Sequence, residues 1–173
     1  MNRIVIAHGH TSIEIFHSLT PLILASEKTS TNWDWKFVDY RIFNIFKMQG
    51  DLLILVRRYH DGKRSNQKIK MELLALKKNF KKVIYFDDSA ATSVIQFNMF
   101  DFVDEYWKRS IFKNLDCYKE QYYGGHLFSN YYHNKYSIND ENESFFNETS
   151  NGAFAGRAPF WAGLGRRCSK CSN

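Results

Sequence analysis

The segment Lys82, Val83, Ile84, Tyr85, Phe86, Asp87, Asp88 and Ser89 constrains the fold of this chain most. A β-branched and aromatic run without polar alternation is the pattern of a strand buried on both faces, as in the interior of a parallel sheet. The run ends abruptly in two carboxylates and a hydroxyl. Open α/β sheets bind ligands at this carboxyl edge. Two other stretches repeat the design. Residues 3–7 lead into His8, Gly9, His10, Thr11 and Ser12, and residues 52–56 lead into Arg57, Arg58, Tyr59 and His60. Three strands that release polar groups at one end predict a ligand crevice there.

The intervening segments carry helical spacing. Over residues 12–28, Ile13, Phe16, Leu19, Ile23 and Leu24 share one helical face, with Ser12 as a candidate cap and Pro21 as a kink or break. Strands are expected at 35–40, 51–56 and 82–86, and a short helix at 43–46. Residues 57–66 read as a basic loop turning at Gly62, and residues 67–79 as an amphipathic helix carrying Ile69, Leu73, Leu74 and Leu76. A short helix is expected over 90–98 and a fifth, more polar strand over 101–106, near an edge. This alternation predicts a Rossmann-like three-layer α/β domain with a mostly parallel sheet. Residues 107–138 read as a helix, a turn at Gly124 and Gly125, and a second, Tyr-rich helix, closing a domain over 1–138. Residues 139–173 read as a linker and irregular tail, because 152–173 hold a single aliphatic residue larger than alanine, Leu164.

The chain carries 24 Lys and Arg against 18 Asp and Glu, a net charge of +6, which draws anionic partners without choosing among nucleic acid, nucleotide-linked substrates and acidic membrane. The first apolar run is too short for a secretory leader, and nothing approaches a membrane span, so a cytoplasmic protein is expected. Cys117 then reads as a reduced thiol without a disulfide partner. Cys168 and Cys171 supply only half of a structural zinc site, so no metal is assigned.

Each polar cluster has a competing structural reading. Asp87, Asp88 and Ser89 suit a cation or a substrate hydroxyl, but also a helix N-cap. Strand alternation would turn at most one of the two carboxylates toward the crevice. Gly9 permits close backbone approach, with a helix N-terminus behind it for an anion, although neither a dinucleotide fingerprint nor a P-loop is present. Arg57, Arg58, His60, Lys63 and Arg64 suit a phosphate clamp or a solvated loop. Lys108 and Arg109 with the turn at 122–126 suit stacking on sugars or bases, or simple packing on the sheet.

From Lys82 to His133 the chain resembles the first half of bacterial glycosyltransferases from surface-polysaccharide clusters. The residues that carry the likeness are Tyr85 to Ser89, Phe102 to Lys108, Tyr122 to His126 and Tyr131 to His133. The resemblance implies two Rossmann-like domains facing across a cleft, the GT-B arrangement. It also implies a first half that shapes the acceptor side, and no metal requirement. Sugar would pass from a nucleotide-sugar donor to a saccharide hydroxyl. His8, His10 or Asp88 would be the base, and Gly9, Thr11, Ser12, Arg57, Arg58, His60, Asp87 and Ser89 would contact substrate. At 173 residues the chain is short for two such domains, so a truncated enzyme is expected. Two rivals remain. One is a metal-dependent phosphoryl-transfer or nuclease domain using Asp87 and Asp88; the segment after Phe86 resembles Toprim domains, but the glutamate those carry on an earlier strand is missing. The other is a non-enzymatic nucleic-acid or anion-binding module.

Overall fold

The computed structural model describes residues 2–9, 13–57, 66–89, 91–124, 126–140, 145–146 and 160–162. In chain order these form β1 (Asn2–His8), α1 (Ile13–Thr29), β2 (Trp33–Asp39), β3 (Gly50–Arg57), α2 (Asn66–Leu76), β4 (Phe80–Asp87), β5 (Glu105–Lys108), β6 (Tyr122–Tyr123), α3 (Leu127–Tyr136), β7 (Phe145–Phe146) and β8 (Phe160–Ala162). One parallel sheet has the order β2-β1-β3-β4-β5-β8, and β6 pairs antiparallel with β7. The expected α/β Rossmann-like sheet is therefore present. Two short pieces of the 139–173 segment contribute strands, β7 and β8.

The two faces of the sheet follow from strand alternation. On one face, Ile4, Ile6, Ile54, Val56, Ile84 and Phe86 pack with Leu19, Leu22 and Ile23 of α1. On the other, Val5, Ala7, Leu53, Leu55, Val83 and Tyr85 pack with Leu73 and Leu76 of α2. Helices thus cover both faces, which is why β1, β3 and β4 read as continuous apolar runs rather than alternating ones. Each fully buried Leu or Ile contributes about 1.5–3 kcal/mol.

Several local expectations are corrected. Pro21 neither breaks nor ends α1, which runs through it to Thr29. A proline deprives the residue four earlier of its helical donor; that residue, His17, is exposed to water, and Leu19 and Ile23 pin the helix on either side of the proline. The helix expected at 43–46 is a single 3-10 turn, Ile45–Lys47, capped by the Asn44 side chain. The helix expected over 90–98 is absent from the described residues. Val94 and Ile95 are consecutive buried residues, and the chain turns into a 3-10 helix at Phe97–Phe102, burying Met99 and Phe100. Consecutive buried side chains do not suit one helical face.

The fifth strand is accordingly Glu105–Lys108, not 101–106, and β8 pairs along its outer side. Asp104 sets where it begins: its carboxylate accepts the Val83 N–H at 2.7 Å and its own N–H donates to the Val83 carbonyl at 2.9 Å. The helix expected after residue 107 is a five-residue 3-10 segment, Leu115–Lys119, started by the Asn114 side chain. The second, Tyr-rich helix is present as α3, after a turn in which Gly124 takes φ 66°. Among the described residues no helix is long and apolar enough to cross a membrane.

Candidate functional site at the carboxyl edge of the sheet

From β1 the chain crosses to β2 on one side and then returns to β3 on the other, so the winding reverses between β1 and β3. In open α/β sheets such a reversal leaves a crevice at the carboxyl ends of the two strands. His8 and Gly9 lie at this end of β1, and Arg57 ends β3, with His8 in register with Val56. The next strand delivers Asp87 beside Arg57.

Gly9 is held by Tyr40. A Cβ placed on Gly9 would lie 2.0 Å from the Tyr40 hydroxyl oxygen and 2.6 Å from Cε2. The Tyr40 N–H donates to the His8 carbonyl at 2.9 Å, which ties the end of β2 to the end of β1. Over the Tyr40 ring lies the Arg57 guanidinium, 5.1 Å from the centroid. Arg57 is 5% exposed and donates to Glu72 of α2 at 2.8 Å. Its Nε is buried without a hydrogen-bond partner among the described residues. Arg57 is therefore a fixed cation at the carboxyl edge of the sheet rather than a side chain reaching into solvent.

Asp87 and Asp88 are both fully buried and diverge. Asp87 turns to the face of Tyr85 and Tyr106. It accepts the Ser89 N–H at 2.9 Å and the Tyr106 hydroxyl at 2.6 Å, and it pairs with Lys108 at 3.1 Å. Lys108 also donates to the Ser89 hydroxyl at 2.6 Å. Asp88 turns to the other face, where the Ser18 hydroxyl of α1 donates to it and Arg109 lies 3.6 Å away. The Asp88 N–H donates to the Arg57 carbonyl at 2.9 Å, extending the β3–β4 ladder one residue past Asp87.

Burial shifts the groups around Asp87. Desolvation lowers the Lys108 ammonium pKa, and the neighbouring Asp87 charge opposes that shift. Desolvation and the Asp87 charge hold the Tyr106 hydroxyl well above its ordinary range, so it stays a neutral donor. The Tyr85 hydroxyl is raised for the same reasons.

This geometry separates the candidate residues. Asp87 and Asp88 do not converge on one point, so they cannot chelate a cation together, and no group of three metal-ligating side chains occurs among the described residues. Nor do they cap a helix: Asp87 closes an Asx-type turn on the Ser89 N–H, and no helix follows before Phe97 among the described residues. Asp88, nominated as a base, is sealed from water and bonded to α1. Arg57, Asp87 and Ser89, nominated as substrate contacts, are 5%, 0% and 5% exposed and brace the edge from below. His8 is half-buried at the end of β1. His10, Thr11, Ser12, Arg58 and His60 lie outside the described residues. Lys108, grouped with the 122–126 turn, instead belongs to the Asp87 cluster. Tyr40, Glu72 and Ser18 complete the edge and were not singled out from the sequence, whereas Tyr106 lies in the stretch from Phe102 to Lys108 that carries the resemblance.

A groove of about 540 Å³ opens at the opposite, amino edge of the sheet, lined in part by Arg3, Asp51, Lys78 and Lys81. It does not coincide with the crevice expected from the strand order. In the groove Arg3 pairs with Asp34 and Lys81 with Asp51. Comparison with known protein families, curated proteins and solved structures found no match.

Proposed function

We propose that this chain is a glycosyltransferase-like domain that engages a nucleotide-linked sugar and a saccharide hydroxyl at the carboxyl edge between β1 and β3. The observation that carries this reading is the meeting of His8 and Gly9 with Arg57 at the point where the winding of the sheet reverses. Parallel α/β sheets bind nucleotide ligands at such points. Gly9, whose missing side chain makes room for the Tyr40 ring, and the Arg57 guanidinium resting on that ring fix the shape of this edge.

In the proposed reaction the acceptor hydroxyl attacks the anomeric carbon of the donor. The bond from that carbon to the phosphate oxygen breaks, and the nucleotide leaves with the electron pair. His8 takes the hydroxyl proton, since it is the described candidate base that is not fully buried. Asp87, Lys108 and Tyr106 hold the end of β4 in place. The divergence of Asp87 and Asp88 favours this reading over metal-dependent phosphoryl transfer.

The test is a thermal-shift titration with UDP-, GDP- and CMP-sugars and with Mg²⁺ alone, at low and high salt. A ligand that binds only the native state raises the midpoint by mass action. A rise with one sugar nucleotide, reduced in His8→Ala, is expected. A rise with Mg²⁺ alone would favour phosphoryl transfer, and no rise with any sugar nucleotide would contradict the proposal.

A further inference from the structure

Strand β2 closes one end of the sheet, and among the described residues nothing pairs along its outer side. The Tyr40 N–H donates to the His8 carbonyl at 2.9 Å, so the backbone groups of Tyr40 face β1. Successive strand residues turn these groups to opposite sides, so Val38, Lys36 and Asp34 also face β1. Trp33, Trp35 and Phe37 therefore point their N–H and C=O groups outward. The Asp39 carbonyl, next in that series, is taken by the Ile42 and Phe43 N–H groups of the following turn. An open edge is a template for another strand. β2 has no proline, and its pairing with β1 runs from Trp33 to Asp39 without a bulge. The charges that commonly guard an edge are here Asp34 and Lys36, of opposite sign.

We propose that β2 pairs antiparallel with β2 of a second copy of this chain, about a two-fold axis through Trp35. The pattern of the strand itself selects this partner. With Trp35 opposite the partner's Trp35, Trp33 falls opposite the partner's Phe37, and every outward N–H of the three residues meets an outward carbonyl. The residues between them form the close pairs without hydrogen bonds, and there Asp34 lies opposite the partner's Lys36. A register shifted by one residue sets outward groups against groups that already face β1. A shift of two residues sets Asp34 against the partner's Asp34, or Lys36 against the partner's Lys36, and like charges directly opposite are destabilising. Lys36 lies 3.4 Å from the Asp34 of its own strand with its side chain 52% exposed, so it can bridge to the partner's Asp34 while Arg3 keeps its 2.8 Å bond. On the other face the same register pairs aromatic with aromatic, which favours a sheet; Phe37 is 38% exposed in the single chain. The axis sets the carboxyl edges of the two copies on opposite sides of one continuous sheet.

The test is sedimentation velocity of the full chain across a concentration series, with thermal melts in dilute solution as the check on folding. The wild type should form a dimer and no larger species, because a two-fold contact closes on itself. Phe37→Pro removes an outward N–H that β1 does not use, so it should weaken the dimer while the dilute melt stays near that of the wild type. Asp34→Lys and Lys36→Glu each set like charges opposite one another in two symmetry-related pairs, and each should weaken the dimer about tenfold. An equimolar mixture of those two variants should dimerise again, since every close pair then joins opposite signs. A wild type that stays monomeric at every concentration would overturn the proposal. So would a dimer that Phe37→Pro and both charge variants leave intact, or a mixture that associates no more tightly than its components.

Discussion

Lys108 and Asp87 form an ion pair cut off from water, with Nζ 3.1 Å from Oδ2 and both side chains fully buried. The two residues are in register on β4 and β5, so the pair bolts the last two residues of these strands together. Tyr106 and Ser89 complete the bonding around it.

Removing one partner leaves a buried charge uncompensated. Lys108→Met should therefore cost about 3–5 kcal/mol of stability. The double variant Lys108→Met, Asp87→Leu should recover part of that loss, because neither charge then remains to be buried. Urea unfolding of the two variants and the wild type measures both effects. A single variant as stable as the wild type would show that the pair does not hold the edge.

Gly9 and Tyr40 make a steric prediction. Gly9→Ala forces the Tyr40 ring to move, since the new Cβ would sit 2.0 Å from its hydroxyl oxygen. Displacing that ring also takes away the surface on which Arg57 rests. A loss of about 1–3 kcal/mol is expected, typical of overpacking. Adding Tyr40→Ala should relieve the clash without restoring the Arg57 contact. Thermal melts of Gly9→Ala alone and combined with Tyr40→Ala check this, and an unperturbed Gly9→Ala would contradict the contact.

Asp39 gives a pH dependence. Hydrogen bonds from the Arg41 guanidinium hold its carboxyl at about 2, below the ordinary 3.8. A carboxyl depressed in the folded state adds stability above its unfolded pKa and loses it as pH falls through the folded one. The loss attributable to Asp39 should thus appear as pH drops from about 4 to about 2. Asp34 and Asp51 are lowered by their Arg3 and Lys81 bonds and act in the same direction. Asp39→Asn should flatten the acid limb of stability against pH, measured by urea unfolding at several pH values, and the difference should shrink at high salt because Arg41 is 46% exposed. An unchanged acid limb would show that this bond carries no stability.

The central strands were legible in the sequence because their burial is continuous. Val83 to Phe86 and Leu53 to Val56 sit between two helical layers, and short apolar runs rich in β-branched and aromatic residues suit that position. The region after β4 was not legible. Val94, Ile95, Met99 and Phe100 are buried from irregular and 3-10 backbone, so they show neither helical nor strand spacing. The buried pairing of Lys108, which the sequence offered instead for stacking beside Arg109, was hidden for another reason. A lysine ordinarily signals surface, and only the pairing of β5 with β4 places it against Asp87. The available signal was its alternation with Tyr106, two residues earlier on the same face. The divergence of Asp87 and Asp88 was legible from strand alternation alone.

The most direct measurement is a ¹H–¹⁵N correlation spectrum of the chain titrated with the sugar nucleotide that gives the largest thermal shift. Binding at the β1/β3 crossover should move the amide signals of His8, Gly9, Arg57 and Asp88, and leave those of Gly50 and Lys81 at the opposite edge in place. Shifts confined to Arg3, Gly50 and Lys81, or no shifts at saturating ligand, would contradict the assignment of the carboxyl edge as the functional site.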